Sequence, residues 1–429
     1  MTVCALTSTT ANGYEGAARP GCVITADGSY AARLALDGES WYPERWTLDG
    51  PEPYAVPLPG NQPEEPGTEV QPMADGRVLI HRVVAGRHLF SLLYPTGPGT
   101  GELQLGSVDC PDGATRLWLL PPAPTGDRAF ALMAGPVSTT VWLVAGGRFG
   151  PEQLAQVPGR CSGGVWLDRV DRMLALDRTP DGGPTKTVVV DLARGGEVSP
   201  LLQIADGSDD RLLLADADSG LLLIRSDAPS PGHGRLGWGV LGSMLPVRFP
   251  ECLQLDGPVT PFAIQPGQAL MPESCAVALR IGGASGSWVG VWCPAEGRVH
   301  HLAPPEGWLA GAGLWTPDGM LRLPYATAAV RCGVAGVWAP AGTTGPGTRT
   351  AGEWAVPEST ERTERTHQAA ARPVPLQQAP LWRRVEPEEV PLVMLRETPP
   401  VTGLRLERRE RNGHGATPLT PDASVSAAR

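Results

Sequence analysis

The sequence predicts an all-β fold, a seven-bladed β-propeller of four-stranded antiparallel blades, and three observations predict it. One kind of turn recurs seven times: Ala26-Asp27-Gly28, Ala74-Asp75-Gly76, Gly126-Asp127-Arg128, Val170-Asp171-Arg172, Asp218-Ser219-Gly220, Pro266-Gly267-Gln268 and Pro317-Asp318-Gly319. From Gly28 to Gly319 the mean interval is about 48 residues. Each interval holds about four short apolar, β-rich runs bounded by Gly, Pro and Asp, the sequence form of strands at blade spacing. The third strand of several units also ends in an aromatic residue or Val, with Gly four or five residues later. The pairs are Trp46 to Gly50, Trp142 to Gly146, Val190 to Gly195, Trp292 to Gly297 and Trp338 to Gly342. Asp-Gly supplies the positive φ that a tight hairpin turn needs. Thirteen tryptophans that fall at repeated positions are core residues rather than a ligand box.

Taken in order, Met1 to Gly21 is polar and turn-rich and reads as an N-terminal arm. Unit one runs from Cys22 to about Gly60, with Glu44 to Leu48 as its third strand and Tyr54 to Leu58 as its fourth. Unit two spans about Gly67 to Val108 and contains Val78 to Val84, Leu89 to Tyr94 and Glu102 to Leu105. Unit three covers about Thr115 to Gly159, and unit four about Arg160 to Ile204. Unit four shows the pattern most plainly, in Gly164 to Leu167, Met173 to Leu176, Thr187 to Leu192 and Val198 to Leu202. Units five and six run from about Gly207 to Leu255 and from about Gly257 to Pro304. Unit seven has Gly311 to Trp315, Met320 to Pro324 and Gly333 to Trp338, then a polar stretch from Thr343 to Ala371. Arg372 to Gln378 matches the fourth strands of other units, so 343–371 reads as a disordered insertion inside blade seven. The propeller therefore spans 22–380. The tail, 381–429, carries Arg-Glu clusters and reads as partly disordered.

Composition narrows the function. The net charge is −10 and a single lysine, Lys186, stands against 34 arginines, with no basic block of the kind a nucleic-acid binder carries. No run of 18 apolar residues exists, so no membrane helix is expected. Met1 to Gly21 lacks a basic start and a continuous apolar segment, so the expectation is a cytoplasmic monomer with reduced thiols; a secreted protein without its leader is the alternative. Eight scattered cysteines form no C-x-x-C.

Trp315-Thr316-Pro317-Asp318-Gly319-Met320-Leu321 resembles the hairpin of TolB-type (PD40) propellers and of the N-terminal propeller in prolyl oligopeptidases. The resemblance covers about residues 22–380, and only Pro317-Asp318-Gly319 keeps the Pro-Asp-Gly core. In the peptidases it implies a following α/β-hydrolase domain with Ser, Asp and His. Here 49 residues follow Pro380, too few for that domain. Gly283-Ala284-Ser285-Gly286-Ser287 ends in Ser where a nucleophile elbow needs Gly.

Candidate chemistry is sparse. Asp216-Ala217-Asp218-Ser219-Gly220 resembles the start of a calcium loop but lacks the Glu at position twelve, so it reads as a turn. His300 and His301 are neighbours on a strand and face opposite sides. His81 and His88, which straddle a hairpin turn, are set aside as ligands on the same ground. Loops on one face carry Asp206, Asp209 and Asp210 between blades, and Arg178, Lys186 and His233 between second and third strands, beside Asp109, Asp112, Asp177, Asp181, Asp227 and Asp256. They form either an acidic mouth for a cation or a basic peptide, or turns that use Asp for backbone reasons alone. Channel-lining first strands read as apolar, in Val23-Ile24, Trp118 to Leu120, Val165 to Leu167 and Leu212 to Leu214. The expected function is a non-catalytic platform for a protein or peptide, without cofactor, metal, nucleic acid or membrane. The alternatives are the gating propeller of a prolyl-oligopeptidase-like peptidase whose hydrolase part is missing or separate, and a propeller lyase or glycosidase.

Overall fold

A computed structural model describes residues 21–97, 99–110, 113–267, 271–284 and 286–339. Asp112, the arm before Gly21, the 343–371 insertion, the strand expected at Arg372 to Gln378 and the tail all lie outside these residues. Seven antiparallel sheets follow one another along the chain. Blade one is β1 (Val23–Ile24), β2 (Tyr30–Asp37), β3 (Ser40–Thr47) and β4 (Tyr54–Pro57). Blade two is β5 (Glu69–Pro72), β6 (Val78–Val84), β7 (Arg87–Pro95) and β8 (Thr100–Asp109). Blade three is β9 (Arg116–Leu119), β10 (Ala129–Ala134), β11 (Ser138–Ala145) and β12 (Glu152–Pro158). Blade four is β13 (Arg160–Trp166), β14 (Met173–Thr179), β15 (Lys186–Asp191) and β16 (Glu197–Leu202). Blade five has β17 (Asp210–Ala215), β18 (Leu221–Ser226) and β19 (Arg235–Val240), and blade six has β20 (Val259–Ile264), β21 (Val277–Gly283), β22 (Gly286–Trp292) and β23 (Val299–Leu302). Blade seven has β24 (Leu314–Trp315), β25 (Met320–Tyr325) and β26 (Gly333–Trp338).

All seven recurring turns join the first strand of a blade to its second. Six of them place a glycine at positive φ, from 71° at Gly220 to 90° at Gly319. In blade four Asp171 takes that conformation instead, at φ 55°. Its carboxylate explains the exception, because Oδ1 accepts from the Thr125 amide of blade three at 3.0 Å. Neighbouring turns are tied elsewhere as well. The Ala74 amide donates to the Gly126 carbonyl at 2.9 Å. Arg169 pairs with Asp218, and Gln265 Nε2 donates to the Pro317 carbonyl at 3.3 Å. The repeated motif is therefore also a belt between blades.

Seven apolar clusters fill the seven blade-to-blade contacts. The last joins Cys22, Ala31, Trp46 and Leu48 of blade one to Ala312, Leu309 and Val334 of blade seven. The Gly21 amide donates to the Ala310 carbonyl at 3.1 Å, and Arg322 Nη2 to the Leu48 carbonyl at 2.7 Å. The ring closes by packing of blade one on blade seven, and the terminal repeats bury each other instead of needing polar caps. Trp46 and Trp292, two of the repeated third-strand tryptophans, are fully buried.

In blade five the fourth strand is reduced to a remnant. Its outer edge is a single bridge, in which Trp238 and Arg248 exchange both backbone hydrogen bonds at 2.9 Å. The next hydrogen-bonded positions of that ladder are 246 and 250, and both are prolines. Proline has no N–H to donate, so the ladder stops on either side of Arg248. The described part of blade seven likewise holds three strands.

Candidate functional site

One face of the ring gathers the second-to-third-strand connections with those between blades, and all six sequence-predicted residues lie there. They do not form one site. Asp210 is fully buried. Its carboxylate accepts from Lys186 Nζ at 2.7 Å, Ser226 Oγ at 2.6 Å, Ser208 Oγ at 2.8 Å and the Ile204 amide at 2.9 Å. Burial pushes the Asp210 carboxyl up, but the bonds from Lys186, Ser226, Ile204 and Ser208 outweigh it and hold it below the usual carboxylate range. Lys186 also bonds the Ala205 carbonyl. This pair joins blades four and five as a structural post. Asp209 accepts from the Thr185 amide at 2.6 Å, and Asp227 accepts from the Asp209 amide at 2.8 Å. Those carboxylates are committed to turns, as Asp favours. Asp206 and His233 are exposed on separate loops, and Arg178 is half-buried at the end of β14.

The side chains that do converge on this face are ones the sequence pattern did not single out. Arg211 in β17 lies directly opposite Arg225 in β18. Arg211 donates to Ser162 Oγ at 3.3 Å and to Thr185 Oγ1 at 3.2 Å, both in blade four. Arg225 Nη2 donates to the Val259 carbonyl of blade six at 2.7 Å. Ahead of the apolar segments Trp118 to Leu120, Val165 to Leu167 and Leu212 to Leu214, the first strands of blades three to five carry charge, at Arg116, Arg160 and Arg211. Beside this cluster Asp177 is buried. Its Oδ1 accepts from Thr187 Oγ1 at 2.8 Å and from the Leu212 amide at 3.1 Å. Burial dominates, against those two bonds and the Arg211 charge, and the carboxyl is pushed up to about 6.

The histidine pair of blade two corrects the ground on which it was set aside, not the reading itself. Ala85 and Gly86 form a two-residue turn, so Val83 pairs with His88 and His81 with Phe90. His81 and His88 then share a face, and His81 Nε2 lies 2.7 Å from His88 Nδ1. His81 Nδ1 is 2.9 Å from Glu69 Oε2, and Phe90 stacks on the His81 ring. Burial and then the His81 charge lower the His88 pKa, against the pull of Glu69. His300 and His301 behave as expected, with His300 bound to Glu296 at 2.9 Å and His301 exposed. Asp216 accepts from the Ser219 amide at 2.8 Å, which is turn chemistry. No metal-ligating cluster and no disulfide is present among the described residues.

The opposite face carries a different feature. Phe149 of blade three and Met244 of blade five are almost wholly exposed, at 97% and 99%. Val170, Leu245 and Met271, from blades four, five and six, are exposed as well. A shallow cleft beside them is lined by Trp238, Val240, Leu245, Pro246, Arg248 and Glu273.

No family model matches the chain, and no curated protein does. Solved structures are similar to it at low identity. TolB from Acinetobacter baumannii is 11% identical with a TM-score of 0.39, over 73% of this chain and 78% of that one. An oligogalacturonate lyase in complex with manganese is 11% identical at 0.48, over 75% and 89%. The β-propeller domain of the trilobed protease from Pyrococcus furiosus is 10% identical at 0.44, over 74% and 93%. Propellers of TolB and of peptidases are thus among its structural neighbours, as the Pro-Asp-Gly turn implied. The chain itself is a seven-bladed β-propeller.

Proposed function

We propose that this chain is a non-catalytic propeller that binds a protein partner, and that it engages an apolar segment of that partner. The observation that supports the reading is the arc of Phe149, Val170, Met244, Leu245 and Met271, contributed by four successive blades. Apolar side chains on loop tips cost solubility unless something covers them. Arg248 and Glu273 at the cleft supply a polar rim of both signs. Rigid blades hold such loops in fixed register, which lowers the entropic cost of binding.

The test uses the full chain and its Met244→Glu/Leu245→Glu double variant, each immobilised in a lysate of the native host. A partner is identified, purified and titrated against both proteins. The wild type is expected to reconstitute the complex, and the variant to bind at least about tenfold more weakly, as loss of a buried anchor does. Equal affinity of the two proteins, or a partner that never rebinds in purified form, contradicts the reading. Labelling of the partner by a serine-hydrolase probe would identify it as the separate hydrolase that the peptidase alternative requires.

A further inference from the structure

We infer that the Arg211–Arg225 pair is a binding site for an oxyanion, a carboxylate or a phosphate, held at the mouth face of blades four to six. Like charges directly opposite on paired strands destabilise a sheet, and β17 and β18 place two arginines in that relation. Several other arginines of the described structure answer carboxylates: Arg33 meets Glu44, Arg82 meets Glu64, Arg172 meets Asp191 and Arg235 meets Glu251. The chain has 45 acidic residues against 35 basic ones, so carboxylates are not scarce. Yet neither Arg211 nor Arg225 makes an ion pair among the described residues. Their hydrogen-bond partners are neutral: two hydroxyls and one carbonyl.

The details fit an anion rather than a packing role. The carbonyl bond anchors Arg225 at 2.7 Å, whereas the hydroxyl bonds of Arg211 are long, at 3.3 and 3.2 Å, and easily exchanged. Ser162 and Thr185 can turn from acceptors into donors toward a bound oxygen. Two guanidinium groups offer paired N–H donors that match the planar oxygens of carboxylate or phosphate. Asp177, the neighbouring carboxylate, is turned inward onto Thr187 and Leu212. Burial, and after it the positive charge of Arg211, lowers the Arg225 pKa. The site draws on three blades and lies on the face opposite the apolar arc, so it stands or falls independently of the protein-binding reading.

The experiment titrates the full chain at low ionic strength with inorganic phosphate, with citrate and with a hexaglutamate peptide, and with hexalysine as the control of opposite sign. Saturable binding of at least one anionic probe is expected, with one site per chain, and none of hexalysine. Arg211→Gln and Arg225→Gln are each expected to weaken it by about tenfold or more, with Arg225→Lys falling in between because it keeps the charge and loses the fork. A tighter fit for hexaglutamate than for citrate and phosphate assigns the anion to an acidic peptide, and the reverse order assigns it to a small molecule. In anion-free buffer Arg225→Gln should melt no lower than the wild type, because it removes a like-charge pair, and the anion should raise the melting temperature of the wild type alone. The inference is overturned if no anionic probe saturates, if the Gln variants bind as the wild type does, or if Arg225→Gln melts well below the wild type without anion.

Discussion

The Trp46→Ala protein is expected to lose about 3–5 kcal/mol of stability, the usual cost of emptying a buried aromatic site. Trp46 is 1% exposed and sits in the cluster that joins blade one to blade seven. Its indole Nε1 donates to Glu44 Oε2 at 2.8 Å, and the Arg33 guanidinium stacks over its ring at 5.0 Å. Truncation therefore opens a cavity at the ring closure and also removes a donor from a buried carboxylate. Trp288, at 43% exposure on β22, is the control and should cost under about 1 kcal/mol on the same change. Urea unfolding of the two variants beside the wild type decides the matter. If Trp46→Ala lost no more than Trp288→Ala, the closure would not rest on this cluster.

At pH 8 the Asp177→Asn protein is expected to be more stable than the wild type, and below pH 4 the two should converge. An acid whose folded pKa is raised stabilises the fold below its unfolded value near 3.8, and that contribution disappears as the pH climbs through about 6. The interval between these values corresponds to about 3 kcal/mol, the upper limit of the gain. Asn keeps a carbonyl oxygen that can accept from Thr187 and the Leu212 amide, so the hydrogen bonds survive while the buried charge does not. Melting temperatures of both proteins from pH 4 to pH 8 test this. Parallel curves, or a less stable variant at pH 8, would show that the Asp177 charge is compensated by Arg211.

The features legible in the sequence are those set by local chemistry. A turn that needs positive φ needs Gly, Asn or Asp, so the seven first hairpins, and through them the blade count, are written at Gly28 to Gly319. The buried tryptophans at the ends of third strands follow from the same spacing. Blade five was legible in principle, because Pro246 and Pro250 flank Arg248 at the spacing that removes two donors from a fourth strand. So was the His81–His88 contact, since a two-residue turn at Ala85-Gly86 fixes which residues share a face. The Arg211–Arg225 pair was not. Its meaning depends on cross-strand register and on the lack of an ion-pair partner for either arginine among the described residues, neither of which a spacing pattern carries. The aspartates suffered the opposite fate. Asp210 looked like a surface acid beside Asp209, and only the packing of β17 against Lys186 and Ser226 shows that it is buried.

Both proposed binding faces depend on a closed ring, and native-state hydrogen exchange of the full chain tests closure most directly. In a closed propeller the junction amides, from Gly21 to Ile24 and from Leu309 to Ala312, are held by packing between blades one and seven. They are expected to exchange by global unfolding, as slowly as the amides of β10 and β14 at the interface of blades three and four. Fast exchange that begins at blades one and seven and moves inward would show an open array with fraying ends, and would contradict the closed seven-bladed ring.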